Sequence, residues 1–286
     1  MKSLCIKTNN TKIKNYLLKY LSQIDFEDIY YIDKKFTFYD NVIIHYVGNE
    51  ECTFLVLLSD IITDCILNFY EAPLIKHIIY LNYFYFDDFE KKLIEKDCAD
   101  YIVSNEDDTL KFRKDEVWNS VLSYISENKS MILDGFVNFR LDSYLSTLDD
   151  VVDYCVNKYV VEKEYNEFIN LLKLYIESKN SESNLIHLIY INGESILLDS
   201  SKNIISLKNN IFNAKYLSDI SFSSNDYALN ALLTLLPKKI EIHIIGYEDD
   251  FINTLKLIFG NKVSICKDCN ICRTYKILLN ASEIKQ

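Results

Sequence analysis

Between residues 141 and 159 apolar side chains fall at Leu141, Leu145, Leu148, Val152, Cys155 and Tyr159, spaced four, three, four, three and four. That near-heptad stripe is one face of an α-helix. Carried on in phase it lands on Glu162, and the apolar set restarts at Tyr165, Ile169, Leu172 and Ile176. A slip of one residue predicts either one long helix with a stutter or two helices meeting near 161–164. Either way the region 131–178 is an extended helical packing element, and filling a core is the ordinary use of such a stripe.

The flanking sequence changes period. Before it, residues 3–8 alternate like a strand, and residues 11–24 carry Ile13, Tyr16, Leu17, Tyr20 and Leu21 at helical spacing. Strands are predicted at 29–33 and 36–47, and helices at 50–70, 74–86, 89–101 and 115–127. Pro73 stands where a new helix would start. After the polar stretch 179–184 come short apolar runs. Residues 185–191 and 195–198 read as strands joined by the hairpin signal Asn192-Gly193. A helix at 226–236 stops at Pro237, a strand follows at 239–245, a helix at 251–259 stops at Gly260, and a strand closes the series at 262–266. Strand and helix alternating over short links argue for parallel pairing. The expected fold is therefore helix-rich α/β. It has an α+β N-terminal half (1–130), a long central helical segment (131–180) and a small C-terminal α/β unit with a partly parallel sheet (181–286).

Composition excludes several chemistries. The five glycines, Gly48, Gly135, Gly193, Gly246 and Gly260, are too dispersed for a phosphate-cradling loop, a dinucleotide fingerprint or a nucleophile elbow. The four histidines form no HExxH or HxH motif, so a local zinc-hydrolase site is not expected. A net charge of −11 argues against general nucleic-acid binding, a term carried by Lys and Arg. Residues 1–15 lack an apolar run, so no signal peptide is expected, and the longest charge-free apolar stretches are too short for an integral membrane segment. A cytoplasmic protein is expected, in which the eight cysteines are free thiols, metal ligands or redox groups.

One local motif carries chemistry. Cys266, Cys269 and Cys272 form a CxxCxxC run directly after a predicted strand, where ligands tend to bind in α/β sheets. Three thiolates at this spacing can converge on one soft metal ion. Zinc and the common iron–sulfur clusters want four ligands, and a ferredoxin-like run would place its next Cys at Lys276. The fourth group must come from Cys5, Cys52, Cys65, Cys98, Cys155 or His243, and His243 sits on the adjacent predicted strand. The bland alternative is a turn of reduced thiols, with the other five cysteines in the core. His187 reads as a hydrogen-bonded sheet histidine, Arg140 as half of an ion pair, and Glu162, Glu164 and Glu167 as a solvated helix face or an ion pair with Lys163.

The middle of the chain resembles a known family. Gly135, Phe136, Asn138, Phe139, Arg140 and Leu141 form a GF-x-NFRL segment. Then come Glu162, Lys163, Glu164, Tyr165, Glu167, Phe168, Ile169, Leu171 and Leu172, and later His187. Over 134–272 this pattern is similar to the YtxC-like sporulation proteins of endospore-forming bacteria. The resemblance implies a role in sporulation and carries no catalytic residue, substrate or cofactor. The expectation is a cytoplasmic, sporulation-associated protein with a structural or interaction role toward an unknown protein partner, leaning away from an enzyme. The alternative is a metal protein (zinc or iron–sulfur) or a thiol-redox protein built on Cys266, Cys269, Cys272 and His243.

Overall fold

A computed structural model describes residues 2–24, 28–104, 112–180, 183–205 and 223–283. It begins with strand β1 (Lys2–Thr8), whose Leu4, Ile6 and Thr8 are buried while the alternate side chains face outward. Helix α1 (Thr11–Gln23) starts where Asn10 accepts a 2.9 Å hydrogen bond from the Lys12 N–H, and it buries Ile13, Leu17 and Leu21. Strands β2 (Ile29–Lys35) and β3 (Asp40–Tyr46) follow, then helices α2 (Glu51–Asn82), α3 (Asp88–Ser104) and α4 (Arg113–Glu127). A short strand β4 (Ser130–Ile132), helix α5 (Leu133–Arg140) and the long helix α6 (Asp142–Ser178) come next. The strands form one mixed sheet in the order β2-β3-β1-β4, antiparallel except for the parallel β1–β4 pair.

Two units divide the chain, residues 1–161 and residues 162–286. The division falls inside α6, at the stretch where the apolar stripe changes phase. Leu148, Val152, Cys155 and Val156 lie in the core of the first unit, Ile169 and Ile176 in that of the second, and residues 161–168 between them are exposed. The structure thus takes the single-helix option.

Pro73 does not start a helix. It lies within α2. Proline removes an intrahelical N–H and disfavours the helix interior by about 3 kcal/mol. Buried Phe54, Leu58, Ile62 and Ile66 before it, and Ile75 and Ile79 after it, join one core, and their burial outweighs that cost. The same burial accounts for the apolar character of α2. By length and composition alone α2 could cross a membrane.

The second unit adds strands β5 (Leu185–Ile191) and β6 (Glu194–Leu198), helix α7 (Ser224–Leu235) and strand β7 (Lys239–Ile245). It ends with helix α8 (Asp250–Phe259), strand β8 (Val263–Ile265) and helix α9 (Asn270–Glu283). Its sheet runs β6-β5-β7-β8, with β5, β7 and β8 mutually parallel and β6 antiparallel. The β5–β6 hairpin turns on Asn192 (φ 46°) and Gly193 (φ 96°), the left-handed pair that a two-residue turn of this hand requires. A capping box between Ser223 and Asp226 opens α7. Ile186, Leu188, Tyr190, Ile240 and Ile242 from the strands pack with Leu232 of α7 and Leu255 of α8. The expected helix-rich α/β class, with a partly parallel C-terminal sheet, is the one observed.

Candidate metal centre

Strand β7 is the central support of the site. It lies between β5 and β8 in parallel register, with Glu241 opposite His187 and His243 opposite Ile189. The period of two puts His187, Glu241 and His243 on one face of the sheet. Past β8, the Cys266 N–H donates to the Ile242 carbonyl at 2.9 Å, which extends the ladder by one bond and fixes the start of the cysteine run. The chain then turns and enters α9. Cys269 stands at the cap of that helix, where its carbonyl accepts the Arg273 N–H at 3.0 Å. Cys272 lies in the first turn and is buried, as is Ile271, which packs with Ile189, Leu198 and Ile245.

These elements bring the four predicted residues together. Nδ1 of His243 lies 3.4 Å from Sγ of Cys269 and 3.4 Å from Sγ of Cys272. Cys272 Sγ is 3.9 Å from both Cys269 Sγ and Cys266 Sγ. All four ligand atoms lie within 4.8 Å of one another. Thiols at 3.9 Å are not bonded to each other, since a disulfide holds its sulfurs at about 2.05 Å. A tetrahedral zinc ion, with Zn–S about 2.3 Å and Zn–N about 2.05 Å, sets S–S separations of about 3.8 Å and S–N separations of about 3.6 Å. The four separations of 3.4 and 3.9 Å fall within a few tenths of an ångström of those values. An iron–sulfur cluster distributes its thiolates over several irons and needs a wider frame than one closed around a single point.

The electrostatics of the donors differ. Burial alone would raise the Cys269 thiol. Backbone N–H groups of Cys272 and Ile271, together with the thiols of Cys266 and Cys272, outweigh it and bring Cys269 below its ordinary value. The Cys266 thiol is pushed up to about 12, first by burial and then by the hydrogen bonds and charges of its two sister thiols. His243 is lowered by burial and by the neighbouring His187, against an opposing pull from Glu241. A neutral imidazole is the metal-binding form. Around the loop, exposed Arg273 reaches Asp268 at 3.3 Å.

The other sequence candidates scatter. Cys65, Cys98 and Cys155 are buried core residues, as expected. Cys52 is exposed and Cys5 only half-buried, because Cys52 sits on the outer face of the first turn of α2 and Cys5 on the open face of the first sheet. Arg140 is exposed at the end of α5 and makes no ion pair among the described residues. It lies in the last turn of that helix, where a cation is favourable. Glu162, Glu164 and Glu167 are exposed. The sequence reading missed two parts of the site. Helix α9 is absent from the expected elements, although Cys269 and Cys272 have the i, i+3 spacing that a helix brings to one face. His187 is a hydrogen-bonded sheet histidine, as expected, but the sequence does not tie it to the site: its Nδ1 lies 3.0 Å from Nε2 of His243 and 3.3 Å from a carboxylate oxygen of Glu241.

The sequence profile of the YtxC-like family matches residues 56–264. The chain belongs to the YtxC-like family. A relative in Bacillus subtilis (strain 168), bearing the name Uncharacterized protein YtxC, is 22% identical over 173 residues. That match covers 58% of this chain and 61% of the relative, so it spans less than two thirds of that protein's length. No solved structure matches the chain significantly. The YtxC-like match takes in His187, Glu241 and His243 and ends two residues before Cys266. Family membership therefore covers the supporting strands and leaves the cysteine run to be judged on its own geometry.

Proposed function

We propose that the second unit of this YtxC-like protein is a zinc-stapled α/β module, with Cys266, Cys269, Cys272 and His243 as the four ligands. One observation carries this reading: an imidazole nitrogen from β7, a sulfur just past β8 and two sulfurs at the start of α9 gather within 4.8 Å of one another, four of their separations lying at 3.4–3.9 Å, near those around one tetrahedral ion. A Cys₃His set is a closed structural site with no position left for a substrate. The ion would supply cohesion, pinning the cysteine loop and the start of α9 to β7. This supports a non-enzymatic role in which the module presents a surface to a protein partner.

The test is metal analysis of the full chain purified under reducing conditions. One zinc per chain is expected, lost in the triple variant Cys266→Ser, Cys269→Ser, Cys272→Ser. A chain that takes up no stoichiometric zinc when offered it, or a triple variant that retains it, refutes the assignment.

We also propose, from the resemblance of residues 134–272 to sporulation proteins, a cytoplasmic protein that acts in spore formation. Eight free thiols suit a reducing compartment. Disrupting the gene in an endospore-forming host and counting heat-resistant spores tests it. A reduced yield is expected, and a normal yield would remove the proposal.

A further inference from the structure

His243 presents its two ring nitrogens to two different sets of partners. Nδ1 faces the thiols of Cys269 and Cys272, while Nε2 lies 3.0 Å from Nδ1 of His187. Both rings are buried, His243 at 1% exposure and His187 at 7%, and their planes are inclined by 33°. His187 in turn stands 3.3 Å from a carboxylate oxygen of Glu241. The sheet enforces this order, because the parallel register sets Glu241 opposite His187 and brings His243 one pleat further along the same face.

An imidazole that binds a metal through Nδ1 carries its remaining proton on Nε2 and must donate it. Inside a protein an unmet donor is costly, and metal-binding histidines almost always give that proton to an oriented acceptor. Within the described residues, His187 Nδ1 lies at hydrogen-bond distance from this nitrogen; with its own proton on Nε2 it accepts, and Glu241, 3.3 Å from the same Nδ1, then receives no proton from it. The cluster His187, Glu241 and His243 also has the composition of a three-ligand cation site. A second ion there would require His243 to surrender the Nε2 proton while bound through Nδ1. The arrangement instead suits a proton-accepting support for one ion.

We propose that His187 is a positioning residue for the metal centre: by accepting the Nε2–H of His243 it fixes the ring orientation and the tautomer that turns Nδ1 toward the thiolates. This rests on the metal reading above, and the experiment separates the two. Zinc affinity of the full chain is measured by competition with a chromophoric chelator, for wild type, His187→Leu and His187→Asn. Asparagine places an acceptor oxygen near the position of Nδ1, whereas leucine fills the space without one. The leucine variant is expected to lose about 10–100-fold in affinity and the asparagine variant to stay near wild type. A purely packing role would not produce that split. A second readout is the His243 Nε2 proton in long-range nitrogen–proton spectra of the zinc-loaded chain. It is expected to resist exchange in wild type and His187→Asn and to exchange rapidly in His187→Leu. Should the leucine variant fail to fold, His187→Phe keeps a ring and still lacks the acceptor. Normal zinc binding by wild type together with unchanged affinity in the variant lacking the acceptor overturns this proposal alone. So does a second zinc equivalent that depends on His187. A wild-type chain that binds no zinc overturns both readings.

Discussion

Sγ of Cys272 lies 3.4 Å from Nδ1 of His243, which ties the first turn of the last helix to the central strand of the second sheet across 29 residues of sequence. Apart from this cluster, α9 is held in the described structure by one small group of apolar side chains, with Ile271 against Ile189, Leu198 and Ile245. The rest of the unit has its own larger core around Leu188, Tyr190 and Ile242. Chelation should therefore act locally. Backbone amides of residues 266–277 are expected to lose protection from hydrogen exchange when zinc is removed, while those of β5 and β7 keep theirs. Equal loss across the unit would mean that the ion holds the whole fold, as in the smallest zinc domains.

Alkaline pH should unfold the chain through its tyrosines. Burial first, and then hydrogen bonds to Asp134, Glu71 and Asp249, raise the phenols of Tyr70, Tyr144 and Tyr190, the last to about 12. Their unfolded value is about 10. A group whose folded value is raised contributes stability that is complete below the unfolded value and is lost as pH climbs toward the folded one. The tyrosine contribution should thus be complete up to about pH 10 and fall above it, following any loss from the raised thiols of Cys65 and Cys266, which starts nearer pH 9. Phenolate absorbance and circular dichroism are expected to change together above that point. Phenolate signal from all 22 tyrosines well before any structural loss would contradict the protection.

Glu71 is a half-buried anchor of the first unit. Its Oε2 accepts from the Tyr144 hydroxyl at 2.8 Å and pairs with Arg113 Nε at 3.1 Å. Tyr144 is 1% exposed, so its hydroxyl has no ready exchange with water. Tyr144→Phe should cost about 1.5–3 kcal/mol, the scale of a hydrogen bond to a charged group. Urea unfolding measures it. Glu71→Gln combined with Tyr144→Phe should cost less than the sum, because the two share one interaction.

How far the sequence announced this molecule depends on what kind of signal each part leaves. The long helix was plain because Leu148, Val152 and Cys155 repeat on one face over several turns. Its change of phase near 161–164 marks the place where the chain passes from one core to the other. Pro73 misled because a local rule ignores the burial of Phe54, Ile62 and Ile79 along the same helix, which outweighs it. The CxxCxxC run announced three ligands, and strand adjacency pointed to His243 as the fourth. The start of α9 at Asn270 was hidden by the thiols themselves, since Cys269 and Cys272 read as a turn motif when their capping geometry is unknown. His187 was out of reach for a different reason. Its role depends on which nitrogen of His243 faces the thiols, and only three-dimensional packing sets that.

The split of α6 between two cores yields a sharp test. Ile169 is 3% exposed and packs only in the second core, while Cys155 and Val156, four turns earlier at most, belong to the first. Truncating a buried isoleucine to alanine costs about 2–5 kcal/mol, through lost burial and the cavity left behind. If the helix serves each core separately, Ile169→Ala should lower the unfolding midpoint of the second unit and leave that of the first nearly unchanged. Val152→Ala, buried in the first core at 0% exposure, should do the reverse. Hydrogen exchange resolved by segment reads both at once, with β1 and β3 reporting on the first unit and β5 and β7 on the second. If either variant destabilises both sets of strands equally, the two cores are one cooperative block, and the change of phase at 161–164 has no energetic meaning.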